Sequence, residues 1–394
     1  MNLSLATGLA PLRLLAIVLF AAIVPCVLMT APAVATQYAI QLGIGPARIG
    51  QLFSAELAAM SLATLPAYYW QSRWDWRQVA RGAALLFILA NLASAWSDGY
   101  GTLMAWRALS ALAGGTMMVV CIASAAGSQQ ADRVYGLWVS GQLILGAIGL
   151  WLLPPLFASF GLQALYLGLA LLMLLCLPLA GAFPSHLAST PQQHRERPAV
   201  GKYLPGFLGL LAVLLFYIGL SAVWTFIGSI AIAANIDPAS SGRILSIATL
   251  LGIAGSVCAT VIGSRWSRIA LLLLGYGLMA SAVCLLLGAP QAIRFAIAAL
   301  LFKYTWTFVL PFILACLADL DQQGRLMNSA NLVIGGGLAL GPALAGPVLE
   351  SSFGMQAVLV GSACCLLLSF IALMFSRLSQ TSLTRSLQTP GVMQ

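Results

Sequence analysis

The sequence predicts an all-α membrane protein, twelve transmembrane helices set out as two parallel six-helix bundles. Three observations lead there. The 394 residues are 61% hydrophobic and only 7% charged, against about 25% charged in a soluble domain. The apolar runs are continuous rather than alternating, so they read as helices and not as barrel strands. And the chain repeats itself: 159–168 read SFGLQALYLG and 352–361 read SFGMQAVLVG.

The spans follow in order, since about 20 helical residues cross a hydrocarbon core of about 30 Å. The first, 12–36, contains Pro25 and Pro32. It is too long for a signal peptide and leads straight into further spans, so it is expected to be retained. Next come 48–69, 79–97, 99–127, 133–156 and 162–183. The stretch 184–205 is polar, proline-spaced and basic, which marks a linker. A second set follows at 206–234, 241–263, 268–289, 291–317, 325–349 and 355–376. The expected domains are therefore 1–183, a linker at 184–205, 206–376, and a tail at 377–394.

The repeat extends beyond its first phrase. Ser72-Arg73-Trp74 returns as Ser264-Arg265-Trp266, and Pro46, Gly50 and Ser54 return as Pro238, Gly242 and Ser246. Arg133 returns as Arg325. Each half holds an even number of spans, so both enter the membrane from the same side and the halves are parallel repeats.

Loop charges set the orientation. Arg13, Arg73, Arg77, Arg81, Arg133, Arg195, Arg197, Lys202, Arg265, Arg268, Arg325, Arg377 and Arg385 fall on one side; Arg48, Arg243 and Arg294 fall on the other. The positive-inside rule puts both termini in the cytoplasm, of a bacterial inner membrane by expectation. The net charge of +9 is thus a topology signal, with no clustered basic face for nucleic acid. The eight cysteines lie inside predicted spans, where they pack as small apolar residues. No cofactor, metal site or catalytic residue is expected. The lipid bilayer, a small-molecule solute and protons are the expected partners of a monomer.

Two parallel six-helix halves joined by a basic loop resemble the major facilitator superfamily of transporters. Its loop motif, Gly-x-x-x-Asp-Arg-x-Gly-Arg-Arg, corresponds to AYYWQSRWDWR, with Ala67 for the Gly, Gln71 for the Asp, and Arg73 and Arg77 keeping the basic character. The second-half counterpart is ATVIGSRWSR. The fourth-span motif Arg-x-x-Gln-Gly is similar to Arg107-Ala-Leu-Ser110-Ala111, followed by Gly114 and Gly115. The eleventh span carries Gly337-x-x-x-Gly341-Pro342-x-x-x-Gly346-Pro347, similar to an antiporter motif that the superfamily places in the fifth. The resemblance implies that the first, fourth, seventh and tenth helices line a central cavity.

Three charges remain inside spans, Glu56, Arg107 and Lys303. Each carries a penalty of about 2.5–3.5 kcal/mol at a helix centre. Arg107 and Lys303 lie roughly 12 Å and 16 Å along equivalent helices, near mid-depth. Two cations there would suit an anionic solute; alternatively Arg107 is structural, paired with Glu56. Glu56 is the candidate proton carrier, because desolvation favours the protonated acid. Tyr304, Trp306, Tyr217, Trp224 and Gln37 supply candidate solute contacts. Arg73, Asp75, Arg77, Arg133, Arg265, Arg268, Asp319 and Arg325 are expected to form a cytoplasmic gate of weak ion pairs. The leading expectation is proton-coupled uptake of a small organic anion by alternating access. A proton/drug antiporter and a non-transporting membrane receptor are the alternatives.

Overall fold

A computed structural model describes residues 9–128, 130–185, 203–263, 265–288, 290–321 and 325–388, and these residues form an all-helical protein. Ten helices are long and apolar enough to cross a membrane unbroken. The first and second spans are broken, and proline is the reason in both. Span one runs as Pro11–Ile23, Cys26–Met29 and Ala31–Leu42, interrupted beside Pro25 and Pro32. Span two runs as Pro46–Leu62 and Thr64–Trp70, interrupted ahead of Pro66. A proline lacks the N–H that would close the turn on the carbonyl four residues back.

The other spans are Trp76–Ala95, Tyr100–Ala126, Ala131–Phe160, Gln163–Cys176 extended by a 3-10 turn Leu177–Ala182, Tyr203–Ala233, Pro238–Ile262, Arg268–Leu285, Ala292–Leu320, Arg325–Glu350 and Gly354–Gln388. The last continues well past the predicted boundary at 376. Residues 377–388 contain neither Gly nor Pro, so nothing local stops the helix before Pro390. The histidines and most of the basic linker fall at 186–202, outside the described residues.

The repeated phrases mark equivalent structural positions. Pro46 and Pro238 each occupy the first turn of a helix, where a missing N–H does no harm. Gly50 and Gly242 face the opposite half. Gly50 lies against Pro342 and Gly346 of the eleventh span, and Gly242 against Leu150 and Pro154 of the fifth. The second span thus packs on the eleventh and the fifth on the eighth, two seams related by the duplication. A side chain at either glycine would force the seam apart.

The SFG phrase ends in a glycine with positive φ in both copies, +60° at Gly161 and +56° at Gly354. The surroundings differ. A Cβ on Gly161 would meet Gln41 Oε1 at 2.6 Å, whereas one on Gly354 meets nothing within 4 Å. Gly161→Ala is therefore expected to lower stability by about 1–3 kcal/mol. Gly354→Ala, which adds only the left-handed conformation, should lose about 1 kcal/mol. Thermal unfolding in detergent reads the order; equal losses would place the strain wholly in the backbone angle.

One end of the bundle, that of Gly43, Gly161, Asp237 and Glu350, is bridged by contacts between the halves, beside a cavity of about 470 Å³ lined by both. Gly228 of the seventh span sits against Pro32 and Thr36 of the first. The backbone N–H of Ala47 donates to Glu350 Oε1 at 2.9 Å, capping the bare N-terminus of the second span with an acid from the other half. At the opposite, basic end a cleft of about 390 Å³ opens between the halves, bounded by Thr64, Tyr68 and Gln71 on one side and Ser329, Asn331 and Leu332 on the other.

Candidate functional site

The two buried cations have opposite surroundings. Arg107 is 1% exposed and Glu56 8%. They form an ion pair, with Arg107 Nη2 on Glu56 Oε1 and Nε donating to Oε2 at 3.4 Å. Arg107 Nη1 donates to Asn91 Oδ1 at 2.7 Å, and Asn91 Nδ2 donates to Ser110 Oγ at 2.8 Å. The guanidinium also lies 5.1 Å from the centre of the Tyr166 ring, whose hydroxyl shares a 2.8 Å hydrogen bond with Tyr38. Five helices of the first half thus close around one charge pair. The arrangement satisfies a fork-shaped donor on several sides, which lysine at this position would not manage.

Lys303 is also 1% exposed, but it makes no ion pair among the described residues. Its Nζ lies 3.8 Å from the centre of the Trp224 ring and 4.2 Å from that of Trp306. Phe302 stacks parallel to Trp224, and Trp306 stands edge-on to both. Tyr217 neighbours Trp306. The result is an aromatic box on the seventh and tenth spans, roughly 16 Å along the tenth helix from its bridged end. The box borders the first half: Trp224 Nε1 donates to the Leu28 carbonyl of the first span at 2.9 Å. The hydroxyls of Thr225 and Thr305, each close in sequence to a box residue, are buried without a hydrogen-bond partner among the described residues.

Several expected neighbours are not brought together. The surroundings of Arg107 and Lys303 share no residue, so the two cations do not face one space: Arg107 is enclosed by its own half. Gln37 lies nearer the bridged end. It donates to Gln41 at 2.9 Å and lines a cavity of about 470 Å³ with Pro32, Pro154, Gly228 and Ser241. Tyr304 stacks on Phe308 and its backbone lies against Gly255 of the eighth span, turned away from the box. Sequence reasoning missed Asn91 and Tyr166 as partners of Arg107. An asparagine inside an apolar span is the available signal for the first.

Asp75, Arg77, Arg73 and Arg268 make contacts within their own halves. Asp75 caps the third span by accepting from the Arg77 backbone N–H at 2.8 Å. The Arg77 side chain donates to the Phe183 carbonyl, also at 2.8 Å. Arg73 stacks 4.0 Å from the Tyr69 ring centre. Arg268 pairs with Asp319, and Arg265 is exposed. Arg133 stands near the start of the fifth span and Arg325 at the start of the eleventh, the two related positions of the repeat.

A membrane-spanning bundle of two related halves, with buried polar centres at mid-depth and a cleft at one end, defines the class of secondary transporters. The chain belongs to the Major Facilitator Superfamily, whose family model matches residues 14–325. Among solved structures, a mutant form of the nucleoside transporter NupG is similar to it at 15% identity and TM-score 0.73, over 92% of this chain and 99% of that one. A bacterial homologue of the human lysosomal transporter Spinster, inward-facing and unoccupied, is similar at 13% identity and TM-score 0.63, over 94% of this chain and 96% of that one. At such identities the likeness is one of fold. Sequence comparison with curated proteins gave no match.

Proposed function

We propose that this transporter moves a small organic anion, a carboxylate above all, and couples its movement to a proton. The observation that carries the reading is the unpaired ammonium of Lys303 in its aromatic box. Desolvating an ammonium costs several kcal/mol. Two ring faces return about 0.5–2 kcal/mol each, so the site is short of a negative charge that a bound anion would supply. A lipophilic cation has no counterpart to meet. Glu56 is held by Arg107, and it is the one acid in the middle of a span among the described residues.

With the basic end in the cytoplasm, the bridged end faces outside and the cleft between Thr64 and Leu332 faces inside. The domains divide at the linker 184–205, and a monomer in a bacterial inner membrane is sufficient. Glu56 is the proton carrier. The titratable groups around it are Arg107, Tyr38 and Tyr166. A proton on Glu56 discharges the ion pair beside the broken turn of the first span, where Glu56, Pro25 and Leu28 border a void of about 10 Å³. Leu28 in turn touches the box through Trp224.

Uptake by right-side-out and inverted vesicles under an imposed pH gradient tests this. Organic acids are expected to accumulate in the more alkaline compartment, against the solute gradient. Accumulation that ignores the pH gradient in both orientations would remove the proton from the mechanism. Preferential extrusion of lipophilic cations would favour the antiporter instead.

A further inference from the structure

Each proline inside the first span deprives one carbonyl of its helical donor. Pro25 frees Ala21 and Pro32 frees Leu28, each four residues earlier. Both carbonyls receive a side chain, and the Thr30 backbone N–H also reaches that of Leu28. Gln142 Nε2 of the fifth span donates to Ala21 at 3.0 Å, and Trp224 Nε1 of the seventh donates to Leu28 at 2.9 Å. The two caps differ in one respect. Gln142 belongs to the same half as the first span, whereas Trp224 belongs to the other, so only the second bond spans the halves.

The geometry points to Trp224 as the positioning residue that ties the Lys303 site to closure of the outer end. Its indole has two tasks at once. The ring face holds the ammonium at 3.8 Å, and the ring N–H holds the orphaned carbonyl of the first span. Four residues further along each helix the same two spans meet again, where Gly228 lies against Pro32 and Thr36. The bond at Leu28 is the hydrogen bond of this seam among the described residues. When the outer end opens, the seventh span leaves the first and the bond must break. The Leu28 carbonyl then loses its side-chain donor, and the indole is free to tilt with whatever Lys303 has bound. A helix with an N–H at position 32 would close its own turn and need no such partner. The indole bond to this carbonyl therefore ties the closed seam to the other half. The link to solute binding rests on the anion reading above; the link to closure does not.

Hydrogen–deuterium exchange of the purified full-length protein, without solute, tests the closure directly. Trp224→Phe keeps an aromatic face for Lys303 and removes only the N–H. It is expected to shift the balance towards the outward-open state by about fivefold, the ratio one neutral hydrogen bond is worth. Exchange should rise in 31–42 and 225–233 and fall in 64–71 and 326–335 as the basic end closes. Pro32→Ala, which supplies Leu28 with a helical donor, is expected to move the same segments in the same directions, and the two changes together should not add. Gln142→Ala, which uncaps Ala21 within one half, should produce no reciprocal change. A rise at the bridged end without the fall at the basic end, or full additivity of the two variants, would reduce Trp224 to a packing residue and overturn the proposal. Binding of organic acids by Trp224→Phe is read separately by thermal shift. Its absence in the wild type would sink the anion reading while leaving the closure result to stand.

Discussion

Lys303→Met is expected to make the protein more stable and unable to transport organic acids. Methionine fills nearly the same volume, packs well against aromatic rings and removes a charge with no ionic partner among the described residues. The gain should be roughly 1–3 kcal/mol, the desolvation penalty less the two cation–π contacts. Uptake in proteoliposomes should fall to the background of empty vesicles. A gain in stability accompanied by a loss of activity is the pattern of a functional charge kept at a site that folding alone would not retain. If Lys303→Met unfolds the protein instead, the ammonium is a structural element and the box is not a solute site.

Arg107→Met should behave in the opposite way. It leaves the Glu56 carboxylate buried beside a fork of donors that no longer exists, and removing one partner of a buried pair costs about 3–5 kcal/mol. The protein is expected to unfold at markedly lower temperature. Restoring neutrality with Glu56→Gln in the same chain should recover most of that loss, because both charges are then gone and Asn91, Tyr38 and Tyr166 remain to fill the space. Transport should not return with stability, since the proton carrier is absent from the double variant. Thermal unfolding of the two single variants and the double variant, run as a cycle, measures the coupling. Additive losses would mean that the pair contributes nothing as a pair.

Much of the fold is written in local patterns. Apolar runs give the helices, arginine counts give the expected sides, and the offset between Gly50 and Gly242 gives the duplication. The structure then explains why those glycines recur: each seats its helix on the other half. The identity of the three intramembrane charges is equally legible, and so is the alternative in which Arg107 pairs with Glu56. What the sequence does not contain is which side chains meet across helices. Asn91, Tyr166 and Tyr38 come to Arg107 from three further spans. Gln37 and Trp224 both read as lining residues; Gln37 lines the cavity at the bridged end, and Trp224 bridges the halves. The prolines of the first span held more information than their role as kinks. Each orphaned carbonyl requires a donor, and a search for indole or amide side chains on neighbouring spans leads to Gln142 and Trp224.

The basic-end charges show a related limit. Interleaved acids and arginines read as pairs between the halves, but Asp75 caps its own helix and Asp319 pairs with Arg268 in the same half. Short-range partners satisfy them while that end is parted.

Calorimetric titration of the purified protein with small organic acids and with lipophilic cations, for the wild type and Lys303→Met, bears most directly on the anion site. The expected result is saturable binding of acids to the wild type, loss of that binding in Lys303→Met, and no binding of cations to either. Acid binding of equal strength in both proteins, or tight binding of cations to the wild type, would contradict it.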